Sequence, residues 1–455
     1  MQLARLNALP WASAGRWTSC ACLAYLMVRP VGFDAVLLPV LALLGIVSLL
    51  TVILQRSRPA RESLIAVASV VLVGIYGTAV GFENPGVSSG ALVWIVAPII
   101  FGAWMFAGDR QAVKMILWTS AGATIFVSIL ILVYVLGESR ILPQLLPTFV
   151  IEQGGFSFDH SARASTAITF YGLSTLVATA PMWLTAALLP RHELLPPKAV
   201  SIVAGVLALG ATLVAGRAAL TVVAVVVPLV VWLVWWLSTS RNRRSRWLTL
   251  APLAAVVTAA AGIAALALSG ISGLQQPFIR LLSVFTGQGQ SASERIRAVQ
   301  ASKLLEQWLH SPIFGHGFGA TIAGYARENA RPWNFELQYH LVLFQVGLFG
   351  ALVLAVGTAF AILGLCRAVR RQPEMLSPVL VGAAGAAAML MANASNPYLQ
   401  APGNMWPVYF ALMLLNVILR PEPPSGRLES RNRGPLRRWS TYRLASRQSQ
   451  SSASP

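Results

Sequence analysis

Arg217 lies in Ala215-Gly216-Arg217-Ala218, a very tight turn between two apolar runs. A charge at membrane depth costs roughly 2.5–3.5 kcal/mol on insertion scales unless it is paired or reaches water. Two readings fit: the guanidinium snorkels to lipid headgroups, or its fork of donors holds a phosphate. Arg280, Arg295 and Arg297 follow as further candidate anion ligands, the last two inside Ser293-Glu294-Arg295-Ile296-Arg297. At the first turns of a helix they would act beside free backbone N–H groups; a solvated helix face is the alternative for any one of them. Arg327 and Arg331 are weaker candidates of the same kind, for which a surface charge is the favoured reading. Glu336, Tyr339 and His340 stand at i, i+3 and i+4, so on a helix they share a face. A carboxylate near a membrane interface needs a polar cavity, and burial would raise its pKa and suit it to take a proton from a hydroxyl. The alternative is an interfacial cap, with Glu336 favouring the helix dipole and Tyr339 in the aromatic belt.

Other chemistries find less support. His160, His192, His310 and His316 are isolated and have no metal-ligand spacing, so no metal is expected. No Ser/His/Asp arrangement, Walker loop or cofactor fingerprint occurs, so no cofactor is expected. Gly315-His316-Gly317-Phe318-Gly319 reads as a flexible turn, since no strand precedes it to make a nucleotide fingerprint. Glu152, Asp159, His160 and Arg163 make their segment polar, which fits either an acceptor site or a plain solvated loop.

The elements that must position these residues are membrane helices. Of 455 residues, 56% are hydrophobic and 11% charged, and mean hydropathy is +0.67. The apolar residues form unbroken runs of about 20, the length a helix needs to cross hydrocarbon. Backbone groups must be paired within each span there, which selects helices, and the alternating segments of an outer-membrane barrel are absent. The expected fold is all-α, a polytopic transmembrane bundle. The net charge of +19 is spread over short clusters between apolar runs and a C-terminal tail. It therefore reads as a topology signal, and nucleic acid is not an expected partner. Cys20, Cys22 and Cys366 lie in or at the end of apolar runs and read as buried, inert thiols. The first apolar run is short and no small-residue cleavage pattern follows it, so no cleavable signal peptide is expected.

Spans are predicted at about 17–29, 33–54, 63–80, 88–107, 112–136, 165–189, 199–215, 218–237, 247–269, 337–365, 377–392 and 404–419. Residues 1–269 thus hold nine spans, 270–336 a long loop, 337–420 three spans and 421–455 a tail. The first span is the weakest, being short and flanked by Arg16 and Arg29. With the N-terminus inside, the inside loops carry Arg56, Arg58 and Arg61; Arg110 and Lys114; Arg191 and Lys198; Arg241, Arg243, Arg244 and Arg246; and Arg367, Arg370 and Arg371. The short outside loops 81–87 and 393–403 carry no Lys or Arg, so the positive-inside rule fits about twelve spans. If the first run does not cross, only the N-terminus changes side. The Arg-, Ser- and Pro-rich tail reads as disordered and attracted to anionic membrane lipids. Two outside segments, 137–164 and 270–336, are long enough to carry function. In the second, Ser291-Ala292-Ser293-Glu294 has capping-box spacing, and Ile296, Val299, Lys303, Leu304 and Trp308 recur at three- and four-residue intervals. An amphipathic helix at about 293–310 is expected, lying on the bundle or the membrane interface.

Residues from Ala215 to about Gly350 resemble the bacterial O-antigen ligase and polymerase family of membrane glycosyltransferases. Gly216-Arg217-Ala218-Ala219-Leu220 is similar to that family's Ser-Arg-Gly-Ala-Leu helix start. Ser293–Arg297 followed by Pro312-Ile313-Phe314-Gly315-His316-Gly317 is similar to its loop of arginine, amphipathic helix and P-x-x-G-x-G. Glu336-Leu337-Gln338-Tyr339-His340, then Gly347-Leu348-Phe349-Gly350, is similar to the start of its next span. The resemblance implies a GT-C-like fold in the bacterial inner membrane, a periplasm-facing site and an undecaprenyl-diphosphate-linked glycan as donor. It implies that Arg217 and one of Arg295 or Arg297 hold the diphosphate leaving group, a stabilisation that needs no metal. Gln338, Tyr339 and His316 become candidates for contact with acceptor or glycan. Ligases of the family carry His-Asn or His-Ser where Glu336-Leu337 stand here, whereas a Glu followed three residues later by Tyr is similar to the polymerases. The expectation is a polymerase of O-antigen or exopolysaccharide repeat units, with Glu336 as base and His340 as second candidate. A flippase and a chain-length regulator would be its partners. A ligase to lipid A core or another acceptor is the first alternative, and a transporter or lipid-linked sugar flippase the second; no internal repeat supports the latter.

Overall fold

A computed structural model describes residues 2–32, 34–55, 57–158, 168–238 and 292–420. The expected span at 247–269, the tail 421–455, and Arg280, Asp159, His160 and Arg163 lie outside the described residues. The apolar runs form helices α1 (Gln2–Val28), α2 (Asp34–Gln55), α3 (Arg61–Val80), α4 (Val87–Ala107), α5 (Arg110–Glu138), the short α6 (Thr148–Gly154), α7 (Thr175–Leu188), α8 (Lys198–Val214) and α9 (Ala218–Ser238). After these come α10 (Ala292–Trp308), α11 (Gln338–Arg371), α12 (Leu376–Asn393) and α13 (Trp406–Leu419). Two-residue strands β1 (Ser157–Phe158) and β2 (Ile168–Thr169) pair antiparallel. Among the described residues seven helices are long and apolar enough to cross a membrane: α2, α3, α4, α5, α9, α11 and a unit comprising α12 and its preceding turn. The chain is a helical, multi-pass membrane protein.

α11 packs along α3, α12 packs on α7 and α13, and α7 and α5 enclose α8. Trp104, Trp183, Trp406, Phe101 and Phe410 fill the centre of the bundle. Outward residues such as Ile46, Ile53 and Leu352 are exposed and apolar, the pattern expected of lipid-facing stripes. Cys20 and Cys22 are buried and free, but Cys366, expected to be buried, is exposed because its side of α11 faces away from the bundle. The span expected from 165 becomes helical only at Thr175, because Ile168-Thr169 are in β2 and Tyr171–Ser174 form a 3-10 turn. In α4 a π-helical turn, Leu92–Val96, precedes Pro98, which has no N–H to bond the carbonyl four residues back.

One break in a helix organises the end of the bundle that carries the candidate residues. α11 is interrupted at Gly347, whose φ of 61° and ψ of −168° suit glycine alone. The break would strand the N–H groups of Leu348 and Phe349 and the carbonyls of Phe344 and Gln345 in apolar surroundings, where each costs a lost hydrogen bond. The loop after α10 replaces all four. Leu348 and Phe349 donate to the carbonyls of Pro312 and Ile313 at 2.9 and 3.0 Å. The N–H groups of His316 and Gly317 donate to the carbonyls of Phe344 and Gln345 at 2.9 and 2.8 Å. Phe318 then donates to Gly77 of α3 at 2.8 Å and stacks on Trp94 of α4 with ring centroids 5.6 Å apart. The glycine-rich segment, expected to be a flexible turn, is thus a docked strap, because its backbone completes a broken helix.

Gly317 has φ +80°, and a Cβ there would lie 2.2 Å from the backbone of Gly81. Strained φ and overpacking together make Gly317→Ala cost roughly 2–6 kcal/mol. The expected result is a strongly lowered melting temperature in detergent, or no folded protein. A melting curve that overlays the wild type would show that the strap does not dock this way.

Candidate functional site

α10 presents Arg297, Gln300, Ala301, Leu304 and Trp308 inward, and Gln300 and Leu304 are fully buried. Leu304, Phe335, Leu337, Leu341 and Phe344 form a small apolar core that fixes α10 against the start of α11. Of the stripe expected to lie on the bundle or the membrane interface, Leu304 and Trp308 face the bundle, whereas Ile296 and Val299 are exposed. The rotation follows from the polar partners that Arg297 and Gln300 find at the approach to α11. Arg295, two residues from Arg297, is exposed and lies about 200° around the helix, so only one of the pair faces inward.

Glu336 is not on α11. The helix begins at Gln338, with Leu337 at the capping position in a non-helical conformation, so Glu336 and His340 do not share a helix face as the spacing predicted. Local bonds hold the residues before α11 out of the helix. The Glu336 N–H donates to Gln300 Oε1 at 3.2 Å, and Gln400 Nε2 donates to the Phe335 carbonyl at 3.1 Å and to Gln338 Oε1 at 2.8 Å. The carboxylate, 14% exposed, is gripped from two sides: Arg297 Nε donates to Oε2 at 2.8 Å and Arg327 Nη2 lies 2.5 Å from Oε1. Arg327, expected to be a surface charge, therefore belongs to the cluster. Arg297 also reaches Asn396 Oδ1 at 3.5 Å, in the turn between α12 and α13.

That turn brings in Tyr398. Burial pushes its phenol up to about 12; Arg217 and Arg297 oppose the shift and Glu336 adds to it, so all three lie within electrostatic range of one hydroxyl. Burial likewise raises the phenol of Tyr325, with Arg327 opposing and Glu336 adding. Arg217 sits between α8 and α9, where its carbonyl accepts from Leu220 and Thr221 at 3.0 and 3.3 Å. Its Nε is buried without a hydrogen-bond partner among the described residues, as is Nε2 of Gln300.

Other candidates are occupied structurally. Tyr339 donates its hydroxyl to the Leu390 carbonyl at 2.7 Å, tying α11 to α12. His316 Nε2 is 2.8 Å from the Gln307 carbonyl, and its ring lies 4.9 Å from that of Phe344. Gln338 is buried against Gln400, and His340 is half-buried on the first turn of α11. Among the described residues no group of three His, Cys, Asp or Glu could hold a metal ion.

No protein-family model matches the chain, and no curated protein matches it. Arg297 and Arg327 pair with the carboxylate of Glu336, and Arg217 and Arg297 both act on the Tyr398 phenol, so these residues bring three positive charges and one negative charge to the neighbourhood of Tyr398 and Glu336. Such a site suits an anion rich in acceptor oxygens, held by planar forks. Gln300, Asn396 and Tyr398 were not expected at the site, and Arg327 was only a weak candidate. The one available signal for two of them was the polar run Asn393-Ala394-Ser395-Asn396-Pro397-Tyr398 between two apolar helices.

Tyr398 also yields a pH prediction. Its phenol holds its proton more tightly folded, at about 12, than at the ordinary value of 10.0. Its contribution to stability is complete below pH 10 and is lost as pH rises from 10 to 12. Tyr398→Phe should therefore lose melting temperature less steeply than wild type above pH 10. Parallel curves through that window would contradict the upward shift of the phenol.

Proposed function

We propose that the protein is a membrane glycosyltransferase that polymerises undecaprenyl-diphosphate-linked oligosaccharide repeat units. In this reading it is a GT-C-like bundle of about twelve spans in the bacterial inner membrane, with its site on the periplasmic face. The observation that carries the reading is the pairing of Arg297 and Arg327 with Glu336 beside Tyr398, whose phenol also feels Arg217, an arrangement with more guanidinium groups than carboxylates. Arg217 and Arg297 hold the diphosphate of the donor. Glu336 takes the proton of an acceptor hydroxyl, whose oxygen bonds to the anomeric carbon as the bond from that carbon to the diphosphate oxygen breaks. The guanidinium groups stabilise the charge that develops on the leaving diphosphate.

The broken α11 invites comparison with transporters, in which unwound helices expose backbone carbonyls to ions. Here the carbonyls of Phe344 and Gln345 are taken by the strap, which speaks against that use. The direct test is purified protein in liposomes given undecaprenyl-diphosphate-linked repeat units, with lipid A core in a parallel reaction. A ladder of lengthened glycan is expected. Transfer to lipid A core alone would make it a ligase, and no transfer in either reaction would overturn the reading.

A further inference from the structure

We propose that Glu336 is an internal competitor of the donor diphosphate: the anion takes over Arg297 and Arg327, and in doing so releases the carboxylate to act on the acceptor. This rests on the diphosphate reading above. Both carboxylate oxygens are engaged, Oε2 by Arg297 and Oε1 by Arg327. A guanidinium on each oxygen occupies much of the carboxylate's accepting capacity, so the residue suited to be the base is, in this arrangement, masked by the clamp. The surroundings permit an exchange. Glu336 lies in a turn and not in a helix, and its backbone is fixed independently by Gln300, so rotation about side-chain bonds suffices to move the carboxylate. A diphosphate brings more charge and more acceptor oxygens than one carboxylate, which favours it in the exchange. The buried Nε of Arg217 and Nε2 of Gln300, without partners among the described residues, are further donors that Glu336 leaves unused. The consequence is ordered chemistry: the acceptor is activated only when the leaving group is already gripped.

Binding by the full-length protein in lipid nanodiscs tests this, with inorganic pyrophosphate in one arm and undecaprenyl diphosphate in the other. Wild type is compared with Glu336→Gln and with Glu336→Asp, which is one methylene too short to bridge both arginines. Removing the competitor should tighten binding about tenfold in Glu336→Gln and by a smaller factor in Glu336→Asp. If only the lipid arm binds, the comparison is made there. Should the Gln variant fail to fold, the Asp variant decides. Equal or weaker binding in the variants, with wild type binding, overturns the competition and leaves the diphosphate reading standing. Absence of binding by every protein in both arms removes the diphosphate reading and this proposal with it.

Discussion

Arg217→Ala is expected to lower polymer formation about 10²–10³-fold, the range for losing one preorganised group that stabilises a developing charge. The protein should still be inserted and abundant, because Arg217 supports the fold through its carbonyl, which caps α9 and which alanine retains. Its side chain brings a buried Nε without a partner among the described residues, so truncation relieves a cost as well as removing a ligand. Arg217→Lys should recover part of the activity, as a point charge without fork geometry. Polymer of normal length and yield from the Ala variant, with membrane levels matched by immunoblot, would remove Arg217 from the mechanism.

Glu336→Gln is expected to lower turnover about 10²–10⁴-fold, the range for losing a general base. Glutamine has the same shape and keeps one oxygen for a guanidinium, so folding should survive. The second arginine then faces an amide N–H₂ and loses its partner. If Glu336 serves only to hold α10 against the start of α11, the Gln variant will show lowered thermal stability with turnover reduced in proportion to folded protein. If it is the base, turnover falls far below the folded fraction. Full activity would rule the role out. Single-turnover transfer of one repeat unit, measured beside a melting curve on the same preparation, separates these outcomes.

Much was legible in the sequence because membrane solvation is a strong and local constraint. A run of apolar residues in hydrocarbon has one good backbone solution, and α2, α3, α4, α5 and α9 lie close to where hydropathy alone puts them. The helix α10, expected at about 293–310 and found at Ala292–Trp308, was legible for a similar reason, since helical spacing is a short-range signal. The candidate arginines stood out because charge in apolar context is costly.

Tertiary structure decided which of these residues meet. Helical spacing places Arg295 and Arg297 on opposite sides of α10 but does not say which side faces the bundle; the partner Glu336 and the apolar core around Leu304 settle that. Spacing also put Glu336 and His340 on one face, and the bonds from Gln300 and Gln400 delay the start of α11 until Gln338. Arg327, Asn396 and Tyr398 come from segments 9 residues before and 60 and 62 residues after Glu336, and no local pattern links them to it. The break at Gly347 is the clearest case. A lone glycine in an apolar run costs little and reads as helix, and only a second segment, Pro312–Gly317, able to satisfy four backbone groups makes the break stable. Periodicity reports the solvent each residue meets, whereas hydrogen bonds between distant segments fix where charge converges.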